Sequence, residues 1–177
     1  MTIAYLTALL LGAQVAISDL MARRVSNRAL LSVLGCVAAM QLLQIGSPPS
    51  LAQCLLGGVI GLAALLPFYA IGWMGAGDVK LFSVIGFLLG SNALLPIWLI
   101  ASLAAGAHAL LVIAWTPAAS YAPPRLQRMV QSLQGSSLVL DWQMDLRAAR
   151  RGRSGIPYAA YMGIAMIAVV VQGGGHA

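Results

Sequence analysis

Two aspartates, Asp19 and Asp78, are the residues whose type and spacing point to chemistry. Asp78 lies in Gly72-Trp73-Met74-Gly75-Ala76-Gly77-Asp78-Val79-Lys80-Leu81, a glycine-rich stretch that sets a carboxylate and an ammonium between two long apolar runs. Asp19 closes the first apolar run of the chain. An ionised acid at the edge of hydrocarbon is costly to maintain, so acids there are expected to have a function. The structural alternative is a loop in which Gly75 and Gly77 break one helix and Asp78 is the N-cap of the next. Two carboxylates in one site cannot both ionise cheaply, and one keeps a proton, which supplies a base and an acid together. This is how an aspartyl protease works: the ionised partner takes a proton from water and the protonated partner polarises the peptide carbonyl, with no metal or cofactor. Helix dipoles assign the roles. Asp78, at a helix N-terminus, is expected to be the resting base, and Asp19, near a helix C-terminus, to carry the shared proton of a pair that titrates as a unit.

The elements that must position these acids are membrane helices. Hydrophobic residues make up 60% of the chain, charged residues 8%, and mean hydropathy is +0.90. An ordinary soluble domain carries about a quarter charged residues. At roughly 20 residues per crossing, 177 residues hold about six spans in a single domain, 1–177. Continuous apolar runs favour helices over a barrel. The expected spans are Ile3 to Leu20, Ala29 to Ile45, Leu51 to Ile71 with a kink at Pro67, a short Val79 to Gly90, Ala93 to Trp115, and one opened by Gly155-Ile156-Pro157 and ending near Gln172. Gly46-Ser47-Pro48-Pro49 closes the second.

All ten Lys and Arg residues then fall in the loops after spans one, three and five or at the adjoining Lys80. The positive-inside rule makes those loops cytoplasmic, puts the N-terminus outside, and sets Asp19 and Asp78 on one side of the membrane. It also explains the net charge of +6 without nucleic acid. No basic residue precedes the first apolar run and Arg23, Arg24 and Arg28 follow it, the reverse of a cleavable signal peptide.

The connection 117–155 divides into an amphipathic helix through Leu126, Met129, Val130 and Leu133, and a segment Leu138 to Leu146 that reads equally as extended or helical. If extended, that segment pairs with an unwound substrate backbone. Asp141 and Asp145 within it read as solvated charges beside Arg147 and Arg150. Lys80 reads as a snorkelling topology residue, His108 as a hydrogen-bonded packing residue, and Cys36 and Cys54 as buried thiols; Trp73, Trp98 and Trp115 read as interface anchors.

Asp19-x7-Asn27 followed by Gly75-Ala76-Gly77-Asp78-Val79-Lys80-Leu81 resembles the paired signature of the type IV prepilin peptidases, Gly-x-Gly-Asp aspartyl proteases of bacterial inner membranes. Arg153 to Ala159 is similar to the start of that family's last span. The resemblance implies a multi-pass inner-membrane endopeptidase with catalytic Asp19 and Asp78. In it Gly75 and Gly77 permit close backbone approach, with Asn27 and Lys80 in support. The implied substrate is a prepilin with a basic leader and a hydrophobic helix, cut at the cytoplasmic face, and pilus assembly machinery is an implied partner. The chain lacks the paired C-x-x-C motifs that accompany N-methylation in long members, and it has Val25-Ser26-Asn27 where longer relatives often have Ile-Pro-Asn. It therefore resembles the short form serving Flp-type, tight-adherence pili, with methyltransferase activity unexpected. The competing readings are a small transporter holding a cation or proton between the acids, and a catalytically inert pilus-assembly scaffold. A presenilin-type protease usually sets its first aspartate after tyrosine, which Ser18-Asp19 does not match.

Overall fold

A computed structural model describes residues 3–45, 49–120 and 156–174. The described residues form six α-helices and no strand. These are α1 (Ile3–Ala22), α2 (Asn27–Leu43), α3 (Leu51–Ala70), α4 (Ala76–Leu89), α5 (Leu94–Ser120) and α6 (Tyr158–Gly174), with a 3-10 turn at Ser91–Ala93 between α4 and α5. Each apolar run of the sequence becomes one helix. Three stretches, Ile3–Ala22, Leu51–Ala70 and Ser91–Ala114, are long and apolar enough to cross a membrane. Their surfaces agree, because large apolar side chains such as Leu10, Val59 and Leu103 are well exposed and need lipid to cover them. The expected connection begins inside a helix: α5 continues through Pro117 to Ser120. The amphipathic helix and the Leu138 to Leu146 segment, with Asp141 and Asp145, lie outside the described residues.

Two glycine seams hold the bundle together. Gly57 of α3 faces Gly86 and Gly90 at the C-terminal end of α4 so closely that a Cβ on Gly57 would stand 2.1 Å from the Gly86 oxygen, and Gly61, one turn on, lies against the backbone of Phe82 and Ser83. Gly57–Gly61 and Gly86–Gly90 each have the G-x-x-x-G spacing, the pattern that lets apolar helices touch backbone to backbone where no hydrophobic drive separates protein from lipid. Ser83 Oγ donates to Gly58 O at 2.8 Å across the same seam. The second seam joins the first helix to the last. A Cβ on Gly12 of α1 would lie 2.8 Å from Gly163 O of α6. In both seams residue numbers rise on one helix as they fall on the other, so the partners are antiparallel.

Short-range chemistry sets the helix ends. Gln44 closes α2 in the left-handed region at φ 54°. Ser50 and Gln53 form a capping box at the start of α3, with Gln53 N–H donating to Ser50 Oγ at 3.3 Å and Ser50 N–H to Gln53 Oε1 at 3.1 Å. Pro67 lies in the last turns of α3, which ends three residues later at Ala70.

Candidate active site

The glycine-rich stretch makes a tight reversal. Trp73 N–H donates back to Phe68 O at 2.9 Å and Gly72 N–H to Tyr69 O at 3.0 Å, and Gly72 takes φ 79°, where a side chain would be strained. Helix α4 then starts with Gly75, not Asp78, as its N-cap. Asp78 is the third residue of the helix, and its Oδ2 accepts the Gly75 N–H at 3.3 Å. That is half of a capping box, since glycine has no side chain to complete it. Gly77 lies against the turn after α1, where a Cβ would come 3.3 Å from Val25.

Asp19 is held quite differently. It is 7% exposed, the one buried charged residue among those described. Its Oδ2 accepts the backbone N–H of Ala160 at 3.0 Å. Ala160 is the third residue of α6, so the carboxylate of α1 serves as a cap for the last helix of the chain. Beyond it, Arg23 N–H donates to Asp19 O at 3.0 Å and Arg23 adopts φ 52°, which ends α1 abruptly. Ser18 Oγ donates to Arg24 O at 2.8 Å and holds the turn. The Arg23 charge acts on the Asp19 carboxyl.

The end of α1 and the start of α4 lie together, with Gly77 against Val25, and the charge of Asp19 acts on Asp78. Asp78 stands in the first turn of α4 and Asp19 in the last turn of α1, the helix ends expected of them, but Asp19 also caps the first turn of α6, so helix dipoles act on it in both senses. Of the expected supporting residues, Asn27, Gly75, Gly77 and Lys80 line a single cavity with Arg23 and Arg24.

Residues that sequence reasoning missed come from α5 and α6. Tyr158 lies within electrostatic reach of Asp78, and its hydroxyl is 3.0 Å from Ser102 Oγ. The Arg153 to Ala159 stretch marked the neighbourhood of Tyr158 but carried no sign of its partner. His108 Nδ1 is hydrogen-bonded to Tyr161 OH, the packing role expected of it. Cys36 and Cys54 are free thiols, Cys54 fully buried and Cys36 half-buried. Trp98 packs against the core and lines a groove, whereas Trp73 is exposed as an anchor would be.

No curated protein and no solved structure matches the chain. A model of the type IV leader peptidase family matches residues 4–110, more than half of the 177, a stretch that begins in α1 and includes both aspartates and the whole glycine-rich turn. With two acids brought together from the first and fourth helices of an apolar bundle and that match across them, the chain belongs to the type IV leader peptidase family.

Proposed function

We propose that this member is an aspartic endopeptidase that removes the leader of an Flp-type prepilin at the cytoplasmic face of the bacterial inner membrane, with Asp19 and Asp78 as its catalytic pair. The observation that supports this most directly is that the end of α1, which carries Asp19, and the start of α4, which carries Asp78, pack together through Val25 and Gly77, within reach of each other's charge. Family membership supplies the reaction class, a peptidase acting on type IV leaders.

In this reading the pair shares one proton. The ionised carboxylate takes a proton from water as the oxygen attacks the scissile carbonyl carbon, and the protonated carboxyl donates to the carbonyl oxygen. The resulting gem-diol collapses as a proton passes to the departing amide nitrogen and the C–N bond breaks, which restores the shared proton. In this reading the pair works at the membrane edge, where water is available. The single domain 1–177, the basic cytoplasmic face and the absence of methyl transfer belong to the same reading. The test is a mobility-shift assay of a co-expressed Flp-type prepilin with wild type, Asp19→Asn and Asp78→Asn at matched membrane levels. Each single variant should abolish cleavage. Cleavage that survives in either variant removes the two-aspartate mechanism and directs attention to proton or cation transport.

A further inference from the structure

Beside the carboxyl pair lies a cavity of about 600 Å³ lined by Arg23, Arg24, Val25, Asn27, Gly75, Ala76, Gly77 and Lys80. Three cations line it and no acid does, among the described residues. The turn that carries the arginines is built firmly: Arg23 holds a left-handed backbone, and Ser18 grips the Arg24 carbonyl at 2.8 Å. Arg23 is engaged by Asp19. The Nε of Arg24 is enclosed and meets no hydrogen-bond partner among the described residues. A buried guanidinium N–H left in that state is costly, and an oxyanion is the group that satisfies it best.

Depth in the membrane identifies the anion. The cavity sits where α1 ends and where α2 and α4 begin, and α1 is one of the stretches able to cross a bilayer, so its end lies at headgroup level. Two residues before the lining on each side stand exposed apolar side chains, Met21 before Arg23 and Trp73 before Gly75, suited to acyl chains and to the interface.

We infer that this cavity binds the phosphate of an anionic phospholipid headgroup, with Arg24 and Lys80 as its principal cations. Ligands that bind only the folded state raise its melting midpoint, and basic residues at headgroup depth attract anionic lipid. The experiment is thermal unfolding of the purified full chain in neutral detergent with dioleoylphosphatidylglycerol, dioleoylphosphatidylcholine or inorganic phosphate added. Phosphatidylglycerol should raise the midpoint by about 5 °C, and the other two by about 1 °C or less. Arg24→Gln and Lys80→Gln should each lose at least half of that rise. Arg28→Gln removes the same charge from a residue outside this cavity and should keep it. Equal effects of the two lipids, or equal loss in Arg28→Gln, would overturn the site in favour of diffuse surface charge. A rise with inorganic phosphate matching that with phosphatidylglycerol would overturn the lipid assignment. If Arg24→Gln fails to fold, Arg24→Lys together with native mass spectrometry of the wild type decides: one retained phosphatidylglycerol supports the site, and none overturns it.

Discussion

The two aspartates differ most in how far the chain must travel to hold them. Asp78 is fixed by its own neighbourhood, since the N–H it accepts belongs to Gly75, three residues away, and the reversal that exposes it is closed by hydrogen bonds within Pro67 to Trp73. Asp19 is fixed by Ala160, 141 residues later, and by an antiparallel seam that needs Gly12 and Gly163 in contact. A locally built acid tolerates damage elsewhere in the bundle, and a remotely built one does not. The site is therefore asymmetric in its supports while nearly symmetric in its chemistry.

That contrast can be broken outright. If both acids act as one pair, Asp19→Asn and Asp78→Asn should each reduce prepilin cleavage by roughly a thousand-fold or more, as in other units that fail together; a variant retaining a tenth of wild-type cleavage contradicts the pairing. The seams sharpen it. Gly12→Leu should separate α1 from α6 and Gly57→Leu should separate α3 from α4, each costing about 3 kcal/mol or more through overpacking, read as loss of the folded band in membranes. Gly12→Ala, milder, should reduce cleavage more than stability, because the seam it loosens aims Asp19.

Removing single hydrogen bonds tests the contrast more finely. Proline is tolerated in the first turn of a helix, so Ala160→Pro deletes the N–H to Asp19 while α6 persists. A hydrogen bond to a charged group contributes about 1.5–3 kcal/mol, which predicts about a 10- to 100-fold loss of cleavage at near-normal protein level. Gly75 already has a backbone compatible with proline, φ −76°, and its longer 3.3 Å bond to Asp78 should matter less, by about 10-fold at most. An equal effect of the two prolines would erase the difference between local and remote support. Smallest of all, Ser102→Ala removes the partner of the Tyr158 hydroxyl and should change cleavage by only about 2- to 10-fold, measured as initial rate.

The same division explains what the sequence revealed. Helix positions were legible because apolar runs in a membrane protein have little choice but to become helices, and the ends of α1, α3 and α4 fall within a few residues of expectation. The glycine-rich turn was legible as well, since Gly72 and Gly75 act through their own backbones. The exact cap was not: Gly75 takes the position expected for Asp78 because a three-residue shift in the start of α4 leaves the same apolar pattern. The spacings Gly57-x3-Gly61 and Gly86-x3-Gly90 carried a readable signal for the α3–α4 seam that apolar periodicity alone does not reveal. Nothing in the sequence around Asp19 points to Ala160, an alanine contributing only its main-chain N–H. A contact made by backbone leaves no trace in residue type.

The bond between Ala160 and Asp19 also imposes an order in time. A nascent chain extended only through α5 already carries both carboxyls, but not the N–H that Asp19 accepts. The site is complete only after the ribosome has passed residue 160 and the last helix has inserted beside the first. If the two acids are the catalytic pair, unfinished chains should be inert towards prepilins made alongside them, and truncation between α5 and α6 should leave both acids in place without cleavage.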